Sequence, residues 1–248
     1  MWKKLKRAAK KVVKAVKKVV RVIKEVCNRT AGILDFLASL VGIRPRKYLR
    51  VQVMVLADSK GPVVPLATVQ RWWDEALRVF LDRANVEIRK IHFLPVESMT
   101  VGDRTDVFVS PACSFSEGFS DAADYYEDKA AEIRGGFQQT PLAAWVADNI
   151  GIGEELVAFA IRDIGDAAGC SYPYNFYMLL AAVPPPPKLP PKTTTLAHEI
   201  AHMCGLWHTS TPGNLMNGDR SDMASDLSRL QISVLRNSRF VTYVKRTS

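Results

Sequence analysis

The run from His198 to His208 constrains this chain more than any other stretch. It reads H-E-x-x-H-x-x-G-x-x-H and holds three of the protein's four histidines. His198 and His202 are spaced so that a helix puts both rings on one face, one turn apart, within reach of a single point. His208 lies too far on to join them along a continuous helix. The helix must end and the chain must double back, and Gly205 stands where that reversal needs left-handed backbone angles. Three neutral imidazoles suit zinc and leave one coordination position open, as in catalytic sites. Glu199, next to the first ligand, is the candidate general base. The expected chemistry is hydrolysis, with a peptide bond as its target. Cys204 comes two residues after His202, so it points off the ligand face.

Prolines 184–187, 190 and 191 bar a helix interior upstream. The helix is predicted over about Thr194 to Gly205, with Thr193, Thr194 or Thr195 as its cap. Downstream, the turn-rich Thr211-Pro212-Gly213 leads into Asn214-Leu215-Met216-Asn217. This motif with a methionine turn close behind it resembles the metzincin zinc peptidases. The resemblance implies an endopeptidase with Zn2+ as cofactor, His198, His202 and His208 as ligands, and Glu199 as base. It implies Met216 as the hydrophobic floor of the site and Gly205 as its structural support. Thr209 leans towards the matrixin-like pattern. The tyrosine that follows the methionine in some members is matched here by Gly218, so that role is not carried over. The family's substrates lie along a sheet edge just ahead of the zinc helix, which points to the region Gly169 to Tyr174. Asp219 and Arg220 are expected at the border of the pocket.

The net charge of +9 is unevenly placed. Residues 1–50 hold 16 Lys/Arg against 2 Asp/Glu, and residues 51–248 hold 18 against 23. The basic character therefore belongs to the N-terminal segment. There, Trp2, Leu5, Ala9, Val12, Val16, Val19, Ile23 and Val26 recur at spacings of three and four, with lysines and arginines on the opposite face. This predicts a cationic amphipathic helix. Its expected partner is an anionic membrane surface or an acidic protein. Lysines flanking the apolar seam oppose an identical partner. Phosphate neutralisation allows nonspecific nucleic-acid binding, but no motif for sequence-specific reading accompanies the charge. A second helix is predicted over Ala31 to Val41 and a linker over Gly42 to Pro45. The expected division is a basic helical segment at 1–45 and a catalytic domain at 46–248. A membrane-active or injected toxin, with the peptidase as partner activity, is the alternative function.

No apolar core of signal-peptide form follows the basic start, and no apolar run is long enough to span a membrane. The expectation is a chain made in the cytoplasm, then held at a membrane surface or exported by a non-classical route. Cys27, Cys113, Cys170 and Cys204 accordingly read as buried free thiols, with Cys113–Cys170 the one pairing to test. The surroundings of Cys27 do not match the matrixin cysteine switch.

The expected fold class is α/β (α+β): a mixed twisted sheet, the zinc helix, a C-terminal subdomain entered through the methionine turn, and the N-terminal cationic helix. Strands are predicted at Tyr48 to Ala57, Val86 to Val96, Asp106 to Ser110, Leu156 to Ile164 and Asn175 to Val183. Helices are predicted at Thr68 to Ala84, capped by Thr68, and at Ala224 to Arg236. Phe240 to Val244 is predicted as an extended tail. The acidic stretch Glu117 to Glu132 reads as a solvated face, with calcium or basic substrate residues as the alternative. His92 reads as a surface or packing histidine.

Overall fold

The computed structural model describes residues 12, 16, 19, 22–23, 26, 29–30, 32–58, 61–96, 121–136, 153–162, 164, 167–171, 175–182, 193–218 and 224–243. The expected strand at Asp106 to Ser110, together with Cys113, Asp219 and Arg220, lies outside them, as does the side chain of His92.

Strand β1 (Lys47–Asp58) is the spine of a mixed sheet. It turns back into the short β2 (Gly61–Pro62) and pairs in parallel with β3 (Val86–Val96), reached through helix α2 (Leu66–Ala84). A parallel pair needs such a crossover, and α2 supplies it. On its other side β1 pairs in parallel with β4 (Leu156–Ile161), and β4 pairs in parallel with β6 (Tyr177–Ala181). All of β4 and β6 is buried. Their uninterrupted apolar runs, LVAFAI and YMLLA, are those of strands covered on both faces. Strand β5 (Gly169–Ser171) closes the sheet as an antiparallel edge on β6, and β7 (Val241–Thr242) adds two residues to β1.

Helix α3 (Asp121–Gly136) carries residues 121–132 of the acidic stretch; its first four residues lie outside the described ones. It is not wholly solvated. Tyr126 is buried against Phe159 and Tyr177, with ring centroids 5.1 Å and 6.3 Å away. One hydrophobic core runs from β1 and α2 through β4 and β6 to α4 (Thr195–Met203), and ends at Leu215 and Met216.

Four sequence expectations need correction. Helix α2 begins at Leu66 behind Pro65, so Thr68 lies within its first turn and does not cap it. Pro at the helix entry costs nothing, since its missing N–H would have no helical partner there. The last helix, α5 (Arg229–Arg236), begins at Ser228 and not at Ala224. Ser228 accepts from the Gln231 N–H, and Gln231 reaches back to the Ser228 N–H, so a capping box sets the start. Thr194 flanks α4 but makes no side-chain cap hydrogen bond. Finally, Cys170 is disulfide-bonded, to a partner outside the described residues, whereas Cys204 is a buried free thiol.

Helix α1 (Ile33–Leu40) falls within the predicted second helix and packs on α5. Its docking is electrostatic as well as apolar. Asp35 Oδ2 lies 2.7 Å from Lys47 Nζ, and Asp35 Oδ1 lies 3.4 Å from Arg236 Nη2 and accepts from the Tyr243 hydroxyl. The Arg236 side chain is fully buried and that of Lys47 nearly so. Arg236 also donates to the carbonyls of Ala84 (2.7 Å) and Pro45 (2.8 Å). Burial works to raise the Asp35 pKa, but hydrogen bonds from Lys47 and Tyr243 and the charges of Lys47 and Arg236 outweigh it and hold the carboxyl below its ordinary value.

No helix among the described residues is long and apolar enough to cross a membrane.

Candidate metal centre

Helix α4 brings His198 and His202 to one face, as their spacing requires. The helix then stops in a Schellman motif. The Gly205 N–H donates to the His202 carbonyl (2.8 Å) and the Leu206 N–H to the Ala201 carbonyl (3.0 Å). Gly205 has φ +93°, so the reversal expected at this residue is present. Arg29, from the N-terminal segment, completes the helix end. Its Nη2 donates to the Cys204 carbonyl (3.2 Å), and its own carbonyl accepts from Asn237 Nδ2 (2.9 Å). A cation here meets the negative end of the helix dipole.

A side chain at Gly205 would face both constraints at once. Its Cβ would sit 2.4 Å from Arg29 Nη2, on a backbone that disfavours L residues. Gly205→Ala should therefore cost about 1–3 kcal/mol. A denaturant midpoint within error of wild type would contradict this.

After the reversal, the three imidazoles converge. The Nε2 atoms of His198 and His202 are 3.0 Å apart, those of His202 and His208 3.1 Å, and those of His198 and His208 3.2 Å. The other ring nitrogens decide what this means. His198 Nδ1 lies 2.7 Å from the Leu215 carbonyl and His202 Nδ1 lies 2.8 Å from the Leu206 carbonyl. A carbonyl only accepts, so Nδ1 carries a proton in both rings, and in the neutral imidazole that a metal requires Nε2 then presents the lone pair. These two lone pairs cannot hydrogen-bond to each other, and they face a common point with the His208 ring. A cation at that point satisfies them. Tetrahedral zinc with bonds of about 2.0–2.1 Å would hold nitrogens about 3.3 Å apart, close to the spacing found. The residues present therefore fit a zinc ion. The expected ligand-supporting partners of His198 and His202 are backbone carbonyls, already in place.

The methionine turn is tight and braced. The Asn217 N–H donates to the Asn214 carbonyl (2.9 Å), and the Met216 N–H donates to Asn214 Oδ1 (2.9 Å). Met216 is fully buried, and its carbonyl accepts from the N–H of Thr209, the residue after His208. Asn214 and Gln231 exchange side-chain hydrogen bonds of 2.8 Å and 3.1 Å. The capping box of α5 thus anchors the turn whose Leu215 carbonyl orients His198. Gly218 lies against the His208 ring, where a Cβ would be 3.7 Å from Cγ.

Glu199 is 2% exposed, on α4 beside edge strand β5. Ser171 Oγ donates to its carboxylate and lies 3.1 Å from its main-chain oxygen. An isolated carboxylate would not remain charged at such burial, so this polar partner is part of the site.

The sequence motif named His198, Glu199, His202, Gly205 and His208, and the fold gathers the three histidines at one point. It did not name the Leu206 and Leu215 carbonyls, because every residue carries one and composition cannot mark them. Gly169 and Ser171 fall in the predicted edge region, but nothing local distinguishes them. Gln231 was hidden because its cap function depends on a helix start that periodicity misplaced.

No protein-family model matches the chain, and no curated protein is significantly similar to it. Among solved structures it is similar to a zinc-dependent peptidase from Methanocorpusculum labreanum, at 15% identity and a TM-score of 0.40, over 77% of this chain and 94% of that one. It is also similar to metalloproteinase-II from Bacteroides fragilis, at 11% identity and a TM-score of 0.37, over 73% of this chain and 54% of that one.

Proposed function

We propose that the chain is a zinc-dependent endopeptidase of metzincin type. The observation that carries this reading is the meeting of three imidazole Nε2 atoms, in two rings of which Nδ1–H donates to a backbone carbonyl and leaves Nε2 to face the common point. His198, His202 and His208 would hold the ion. Zinc bound there supplies Lewis acidity and brings the pKa of water towards neutrality. Glu199 then accepts a proton from the attacking water and returns it to the amine nitrogen as the C–N bond breaks. Strand β5 pairs only with β6 among the described residues. Its outer edge is therefore suited to an extended peptide, held by main-chain hydrogen bonds.

The full chain should bind one zinc ion, and His202→Ala should remove it. Peptide hydrolysis should vanish with a chelator and return when zinc is added back. A wild-type protein that binds no transition metal would overturn the proposal.

A second reading concerns where the enzyme works. Val12, Val16, Val19, Ile23 and Val26 are helical and between 55% and 62% exposed. They recur at helical spacing, and lysines and arginines fill the positions around them in the sequence. An apolar stripe left in water beside so many cations suits the surface of an anionic membrane. The full chain should co-sediment with vesicles containing phosphatidylglycerol but not with purely zwitterionic ones. Val16→Asp with Ile23→Asp should abolish this while leaving peptide hydrolysis intact. Equal binding by the double variant would refute the membrane role, and selective capture of an acidic protein would replace it.

A further inference from the structure

We infer that edge strand β5 positions the general base, with Gly169 and Ser171 as a two-sided clamp on the Glu199 carboxylate. The inference rests on the reading of Glu199 as base and adds two positioning residues to it. Gly169 and Ser171 are two apart in a strand, so they share one face, and that face meets α4. Their roles differ. Ser171 holds one carboxylate oxygen: its hydroxyl has a single proton, and the carboxylate is its nearer acceptor. Gly169 makes room for the other. A Cβ built there would lie 2.4 Å from Glu199 Oε1, 2.6 Å from Cγ and 2.7 Å from Cδ. Gly169 does not have positive φ. Glycine is therefore required here by the carboxylate seated in its place and not by the backbone.

The strand itself is held firmly. Gly169, Cys170 and Ser171 pair in register with Leu180, Leu179 and Met178 of β6. Cys170 is buried and disulfide-bonded. A polar contact from a fixed strand restricts the rotamers open to the Glu199 carboxylate. The same strand offers its outer edge to substrate, so peptide docking and base alignment share one element.

Two cycles test the clamp. In the first, peptide hydrolysis is followed in Ser171→Ala and Ser171→Thr, each with Glu199 intact and with Glu199→Gln. Ser171→Ala should lower kcat about tenfold with KM and zinc content unchanged, and Ser171→Thr should recover most of it. In the Glu199→Gln background, Ser171→Ala should add almost nothing. The second cycle needs no activity. Gly169→Ala should lower Tm by about 5 °C or more in the wild type. It should be nearly neutral in Glu199→Ala, where the colliding atoms are gone. Equal effects of Ser171→Ala in both activity backgrounds, or equal Tm losses in both stability backgrounds, would overturn the clamp. If Glu199→Gln alone leaves hydrolysis unchanged, the base assignment fails instead, and the stability cycle still judges the contact.

Discussion

Glu199→Gln should retain one zinc ion per chain and lower kcat for peptide hydrolysis by about 10²–10⁴-fold. The three imidazoles and their backbone partners are untouched by this change, so metal binding has no reason to fall. The amide keeps the shape of the carboxylate and still offers Ser171 an acceptor, so the fold is preserved. What is lost is a group able to take a proton from water. Metal analysis and initial rates on one peptide substrate check both halves together. Turnover near that of wild type would remove Glu199 from the mechanism, and loss of zinc would show that its role is structural.

Asp35→Ala should be the most damaging change away from the site. It leaves Lys47 and Arg236 facing each other in a nearly closed space without their shared carboxylate. Removing one partner of a buried ion pair costs about 3–5 kcal/mol. For a chain of this size that lowers Tm by roughly 10 °C. Carbonyls still accept from both cations, so the fold should survive. The Asp35 pKa lies below its ordinary value, which fixes the direction of the pH dependence. The stability it contributes is complete above the unfolded-state value of about 3.9 and is lost as pH falls through the lower folded-state value. Wild type should therefore lose stability in that acid window, and Asp35→Ala should lack this component. Parallel melting curves of the two proteins down to pH 3 would contradict it.

The three-histidine motif was legible because its physics is local. Helical periodicity places His198 beside His202, and glycine marks the point of reversal. The strands β4 and β6 were legible as unbroken apolar runs, since burial on both faces leaves no polar alternation, and β1 as a β-rich stretch despite Arg50 and Gln52. Helix starts were less so. Threonine and serine are plentiful near both α4 and α5; Ser228 caps α5 with its side chain, whereas Thr194 makes no side-chain cap hydrogen bond at α4. The free-thiol expectation failed at Cys170 because the form of the N-terminal sequence says nothing direct about which sulfurs meet in space.

Residue types and spacing were enough to specify a three-histidine centre with an acid beside it, because every relation involved spans less than a dozen residues. The tautomers of His198 and His202, the seat of the Glu199 carboxylate and the pairing of Asp35 with Lys47 and Arg236 came from the folded chain. Each joins groups on different elements, through a backbone carbonyl, a missing Cβ or a buried charge. Such contacts carry no periodicity, and they exist only once packing has excluded water from between the elements.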